Sequence, residues 1–408
     1  MSNLKALAGL AIQLGRERAT RWGDGVLRRD PNARLRMSVG RRDPYPLYEE
    51  LRAAGPLTRA RNGEWVSTSH PLCNQVLRSR SLGVREAGST PSPGELDLSM
   101  LDRNPPDHTR LRRLAMPAFS PKVIAGYRTR VEKVAHSLLD AAGDEFDLIT
   151  DYAAPLPISV ITELLGIPDA EVGRFFRYGS VVGSALDGVQ SMRHARALMA
   201  ASQDMDRLFN DLIERRRADP ADDIISLVSD ESLTSGELLN LCRLLLIAGF
   251  ETTENLIGNG VFALLQNPDQ WAGLVADTER APKVVEEVLR YDSPVQRTGR
   301  VALEDVEIDG HRFGKNEWVV TLLGAANRDP KVFPDPRRFD ADRPNAQEHL
   351  AFSGGIHYCL GAPLARLEGG IAFQVLAERW PRIRQTGCIS RRPTITIRGL
   401  RSLPVSSL

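Results

Sequence analysis

Cysteine is scarce in this chain. Its 408 residues hold four, Cys73, Cys242, Cys359 and Cys388, widely spread and with no CxxC pair. That spacing excludes a disulfide framework and an iron–sulfur cysteine set, and it suits a reducing compartment. Net charge is almost absent: 53 basic against 52 acidic residues leave +1. Nothing in that balance calls for nucleic acid or an acidic membrane surface as partner. A membrane-spanning run is lacking too. The apolar stretch Leu4–Gly15 is followed by Arg16-Glu17-Arg18 and falls far short of the ~20 apolar residues a span requires. No A-x-A cleavage site follows it. Leu4, Leu7, Leu10 or Ala11, and Leu14 share one helical face. They predict a short amphipathic helix packed on the body, with weak interfacial membrane contact as the lesser alternative. A cytoplasmic protein with no integral membrane segment is the expectation. Flavin and nicotinamide fingerprints are absent as well.

What is present centres on Cys359. It lies in Phe352-Ser353-Gly354-Gly355-Ile356-His357-Tyr358-Cys359-Leu360-Gly361, and an apolar helical pattern follows from Ala362. The arrangement places a lone sulfur at the mouth of a helix. There, free N–H groups and the positive end of the dipole favour thiolate over thiol. A single thiolate without a partner cysteine suits an axial ligand to haem iron. Gly354 and Gly355 are expected to take positive-φ turns, and Gly361 to let the backbone approach a flat ring. The bland alternative for an isolated cysteine is a buried structural role.

Helical periodicity dominates the chain, from about Pro121 to Tyr291 above all. Thr234-Ser235-Gly236-Glu237 is a capping-box signal, and the helix behind it should run to Gln266, where Asn267-Pro268 stops it. At ~1.5 Å per residue it would cross about 48 Å. Ala248-Gly249-Phe250-Glu251-Thr252-Thr253 lies in its middle; Ala248 and Gly249 are small enough for another surface to approach. Strand-like runs cluster in two places. The first is Leu57–Ala60 and Glu64–Thr68 around an Asn62-Gly63 turn. The second is Val301–Ile308, Asp309-Gly310, His311–Phe313 and Trp318–Leu323. Ser81–Pro106, rich in glycine, serine and proline, reads as a lid or plain surface slack. The fold class is therefore mainly α with small β-sheets. One domain is expected over 1–408, with 1–42 an extension packed on or near the body.

These motifs together resemble the cytochromes P450, in particular soluble bacterial, actinobacterial-type members, from about Asp43 onward. Phe-x-x-Gly-x-x-x-Cys-x-Gly is similar to their haem-ligand loop, and Ala-Gly-Phe-Glu-Thr-Thr to their oxygen-binding helix. Two positions depart from the commonest loop. Ser353 stands where glycine is usual, and Ile356, on the surface expected to meet a redox partner, replaces a basic residue or proline.

The resemblance implies a P450 fold, haem b as cofactor, and Cys359 as sole protein ligand to the iron. It implies that Thr252 hydrogen-bonds oxygen and that Glu251 helps deliver protons. His108, Arg112, Arg300 and His357 would hold the two haem propionates; Ala248, Phe352 and Gly361 would line the haem. Burying propionates requires charge-assisted partners, which Arg and His supply. Arg110 and Arg113 are left to a solvated basic face near an electron-donor docking surface. Glu287 and Arg290, at i and i+3 on one helix face, match the family's buried Glu-x-x-Arg pair. Arg338 of the irregular stretch Asn327–Asp340 is expected to complete it in a structural role.

The implied activity is monooxygenation: one atom of O2 enters a hydrophobic small molecule of the lipid, sterol, terpene or polyketide class. Electrons would come from a ferredoxin and its ferredoxin reductase. Gly179–Leu186, Pro294-Val295-Gln296 and Thr396-Ile397 are candidate pocket linings. A thiolate-haem sensor without turnover and a peroxide-driven peroxygenase are the alternatives. The intact Glu251–Thr252 pair speaks against both.

Overall fold

The computed structural model describes residues 15–407 apart from 17, 90–96, 185–188, 190 and 229–232. The expected N-terminal amphipathic helix, the tip of the 81–106 segment and part of 179–186 lie outside the described residues. The molecule is mainly helical, as its periodicity requires. One helix runs Ser235–Gln266 through the centre. Thr234 Oγ1 accepts from the Glu237 N–H, and the Thr234 N–H donates back to the Glu237 carboxylate at 2.9 Å. Both halves of the capping box thus form, and Asn267-Pro268 ends the helix. Most of its length is buried on every side, as a helix that is apolar all round must be. Three further helices pack around it: Pro155–Leu164, Ala281–Tyr291 and Ala362–Arg379. Gly249 makes one of these contacts possible, because a Cβ there would stand 2.7 Å from Ile161 of Pro155–Leu164.

Twelve short strands are found among the described residues: β1 Leu57–Arg59, β2 Trp65–Ser67, β3 Leu82–Gly83, β4 Glu145–Asp147, β5 Thr298–Ala302, β6 Val306–Ile308, β7 His311–Phe313, β8 Trp318–Thr321, β9 Arg384–Gln385, β10 Ser390–Arg391, β11 Leu400–Ser402 and β12 Pro404–Ser406. The first expected strand cluster joins β5 and β8 of the second in one sheet, ordered β1-β2-β8-β5-β3, with β3 from the 81–106 segment at its edge. β2 and β8 pair in parallel, Val66 opposite Val320. The run 301–308 is not one strand. β5 ends at Ala302, and β6 starts a separate hairpin with β7. Its turn is Asp309-Gly310, both at positive φ (53° and 75°), as a type I′ hairpin turn requires. The C-terminal strands β9–β12 are short, and alternation does not announce them. β12 pairs with β4 and β9, and β10 with β11.

The 81–106 segment is anchored at both ends of its described part. The Val84 N–H donates to Asn104 Oδ1 at 2.9 Å, and Asn104 Nδ2 donates to the Arg85 carbonyl at 2.7 Å. No helix among the described residues is long and apolar enough to cross a membrane.

Candidate active site

The cysteine loop is shaped by two positive-φ residues, Ser353 (62°) and Gly355 (65°). Gly354 is extended instead, so Ser353 takes the left-handed turn expected of that glycine. Gly355 is required twice over: a Cβ there would lie 2.5 Å from the Leu77 carbonyl oxygen. The Cys359 N–H donates to the Phe352 carbonyl at 2.9 Å, which closes the loop. Gly361 ends it, and the helix Ala362–Arg379 begins. A Cβ on Gly361 would come 4.0 Å from the Cys359 sulfur.

The Cys359 side chain is exposed, yet burial among surrounding atoms pushes its thiol up. The helix mouth does act as expected: the Gly361 and Ala362 N–H groups pull the thiol down, as do Arg112 and Arg366. Desolvation outweighs them. A positive centre at the sulfur would favour the thiolate further.

The middle of the central helix carries the Ala-Gly-Phe-Glu-Thr-Thr run. Ala248 is exposed and Thr252 half-buried, in a stretch whose other faces are buried. Thr252 Oγ1 donates to the Ala248 carbonyl at 2.8 Å, which leaves its oxygen lone pairs to accept from a second group. Glu251, 2% exposed, points to Arg392, whose Nη1 stands 3.2 Å from Glu251 Oε1. The same guanidinium holds Glu254. Neither Arg392 nor Glu254 was signalled by sequence, because the ion pair joins positions 141 residues apart.

His108, Arg112, Arg300 and His357 are brought together. The His108 and His357 rings lie 4.3 Å apart between centroids. Arg300 is buried and oriented by the Gly299 carbonyl at 2.8 Å and the Ser353 hydroxyl at 3.2 Å. Burial, then Arg112 and Arg300, push His108 down to about 4. Burial, then Arg300, His108 and Arg112, push His357 down to about 3. Burial brings Arg300 to about 10, which still leaves it cationic at neutral pH. Both His108 ring nitrogens and His357 Nε2 are buried without a hydrogen-bond partner. Two guanidiniums and two imidazoles with unpartnered ring nitrogens, converging on one place, form a donor set for carboxylates. The residues thus fit a haem with two propionates over a cysteine sulfur.

Beneath the loop, Glu287 and Arg290 are fully buried and joined by two bonds of 2.6 and 2.7 Å. Arg343, not Arg338, is the third member: its Nε stands 3.4 Å from Glu287. Arg338 is exposed and contributes only its carbonyl, which accepts from Arg290 and Arg343. Backbone trajectory explains the correction. The chain bends so that the Asp340 N–H reaches Glu287 Oε1 at 2.8 Å, which turns residue 343 inward. A second support was missed in the sequence. Arg366 pairs with Glu286 at 2.6 Å and stacks 4.6 Å over the Phe352 ring. Burial would raise Glu286, but bonds from His349 and Arg366 hold it at about 2. Arg110 is not left on a solvated face, since it pairs with Glu237 of the capping box.

Comparison with known proteins agrees with this geometry. The cytochrome P450 family model matches residues 275–379. The putative cytochrome P450 140 of Mycobacterium tuberculosis is 38% identical, covering 94% of this chain and 93% of its own length.

The chain belongs to the cytochrome P450 family.

The P450 monooxygenase PikC of Streptomyces venezuelae is 40% identical, over 89% of this chain and 91% of its own. P450BioI, solved in complex with an acyl carrier protein bearing hexadec-9Z-enoic acid, superposes with a TM-score of 0.85 at 36% identity; the match covers 90% of this chain and 98% of that one. The protein is accordingly a bacterial-type P450 monooxygenase and a haem protein.

Proposed function

We propose that this P450 inserts one oxygen atom of O2 into a C–H bond of a hydrophobic small molecule of the lipid, sterol, terpene or polyketide class. The other oxygen atom leaves as water, with two electrons from a ferredoxin and its reductase and two protons. Residues 1–408 act as one domain, with 1–42 as an extension of it. Haem b, when bound, supplies the iron centre at which O2 is activated. Cys359 holds that iron; His108, Arg112, Arg300 and His357 hold the propionates; Ala248, Phe352 and Gly361 border the ring. Glu287, Arg290 and Arg343 fix the loop from below. The observation that carries the reading is the convergence of the four basic groups beside Cys359, with both His108 ring nitrogens and His357 Nε2 left without a hydrogen-bond partner. P450BioI has been solved with an acyl-carrying protein, and a chain-bearing substrate falls within the lipid and polyketide classes proposed.

Thr252 orders the proton source, and Glu251 relays protons to it in a site otherwise kept dry. Thr252→Ala and Glu251→Gln should leave the reduced carbonyl spectrum intact and divert electrons to released hydrogen peroxide. General acid–base assistance is worth about 10²–10⁴-fold, and the loss is smaller where water replaces the hydroxyl. The measurement is product formed per NADPH consumed, with ferredoxin and reductase present. Unchanged coupling in both variants would contradict the proton-delivery role.

A further inference from the structure

The net charge of +1 hides an uneven distribution. Residues 1–42 carry ten basic side chains against three acidic, a balance of +7, and residues 43–408 carry −6. The same segment is dense in exposed apolar groups. Of the twelve exposed large apolar side chains among the described residues, four lie within residues 22–39: Trp22, Val26, Leu27 and Val39. Trp22 is 56% and Leu27 72% exposed. Single exposed apolar side chains are ordinary, but a cluster rimmed by charge marks an interaction surface.

The backbone holds this cluster outward. Gly23–Leu27 is a π-helical turn, closed by the Arg28 N–H on the Gly23 carbonyl at 3.3 Å. Closure over five positions puts Val26 and Leu27 on the side of Trp22, while Asp24 and Gly25 are buried on the other. Gly25 is required there, since a Cβ would stand 2.3 Å from Met37 Sδ. Leu35 fixes the segment to the body in a small core with Leu47, Tyr48 and Leu51. The acids are drawn inward. Asp24 pairs with Arg28 at 2.6 Å and lies 3.9 Å from Arg61. Asp30 accepts from the Ala33 N–H at 3.1 Å and lies 3.8 Å from Arg61. Both carboxylates are thereby nearly buried, whereas the Arg28 and Arg61 side chains stay more than half exposed. Arg29 is exposed and makes no ion pair among the described residues. What faces outward is therefore apolar and cationic.

We propose that the turn Trp22–Arg29, with Arg61 beside it, is a peripheral docking site for an anionic lipid bilayer. Trp22, Val26 and Leu27 enter the headgroup region, and Arg28, Arg29 and Arg61 meet lipid phosphates. Large apolar side chains on a turn with arginines at their rim match the membrane interface. There a Trp ring sits at headgroup level, and the guanidinium fork fits phosphate. Charge alone or a few apolar groups alone bind marginally, and the two signals together hold. The −6 on the rest of the chain is repelled by the same lipid surface, which turns residues 1–42 toward it. The docking needs no membrane-spanning segment and stands independently of the oxygen chemistry proposed above.

Co-sedimentation of the haem-loaded full chain with vesicles tests this, one set of phosphatidylcholine alone and one with about a third phosphatidylglycerol. Binding is expected to the anionic set only. It should be lost at about 1 M salt, where the screening length falls to about 3 Å. Arg29→Gln should weaken it about fivefold, the effect of one charge near the surface. Trp22→Ser and Leu27→Ser should each weaken it about tenfold. Trp22→Phe should still bind, but without the blue shift of tryptophan emission that the wild type shows on binding. All four substitutions are at exposed positions, so haem content and the reduced carbonyl spectrum should not change. Equal binding to both vesicle sets, no binding at low salt, or variants that bind like wild type would overturn the docking. Self-association of the chain, or ferredoxin-driven reduction, that responds to the same variants in place of vesicle binding would assign the surface to a second copy or to an acidic protein, and would overturn it too.

Discussion

Arg300 is one of the proposed propionate partners. It is buried, stays cationic despite the pull of burial to about 10, and is oriented by Gly299 and Ser353 before any carboxylate arrives. A guanidinium held in advance loses little freedom on binding. Arg112 is held down mainly by burial and feels the Cys359 sulfur. Replacing Arg300 or Arg112 by alanine should leave a buried carboxylate short of a partner, at a cost of roughly 1–3 kcal/mol. Haem retained per chain after purification reads this out, together with the thermal midpoint. Full occupancy and an unchanged midpoint in both variants would contradict the assignment. These four basic residues were legible in the sequence only through the resemblance to P450s. They are spread from position 108 to 357, and a local period, i and i+4 on one helix, links only His108 and Arg112. Ser353 was legible as an oddity; its hydroxyl on Arg300 and its left-handed backbone were not.

At the scale of elements, local signals worked where the cause was local. The central helix starts at its capping box and stops at Asn267-Pro268, as its sequence dictates. The Asn62-Gly63 and Asp309-Gly310 turns form hairpins for the same reason. Irregular backbone defeats such reasoning. Arg337, Arg338 and Arg343 all lie in one arginine-bearing stretch without periodicity, and only the bend at Asp340 decides which of them faces Glu287. The position of that bend separates two variants. Arg343→Ala should lower stability by roughly 1–3 kcal/mol, because Glu287 loses a buried partner and three carbonyls lose a donor. Arg338→Ala should stay within about 0.5 kcal/mol, as exposed substitutions do. Thermal or denaturant unfolding of the two variants decides between them; equal losses would restore Arg338 to the triad.

For the whole molecule, the decisive contacts are long-range. β2 joins β8 in parallel across some 250 positions, and the C-terminal arm returns to the central helix through Arg392 and Gly399. Neither pairing leaves a trace in a local window, so the single main sheet and the Arg392 clamp escaped sequence reading while the helical class did not. Long-range packing likewise brings a loop cysteine and four basic groups from separate segments together. The central claim is that this site binds haem through the Cys359 sulfur. The most direct test is the absorption spectrum of the reduced carbonyl complex, in wild type and in Cys359→Ser and Cys359→His. The account predicts the red-shifted thiolate-type Soret band in wild type and its loss in both variants, with haem and band retained when Cys73, Cys242 or Cys388 becomes serine. Survival of that band without Cys359 would contradict it.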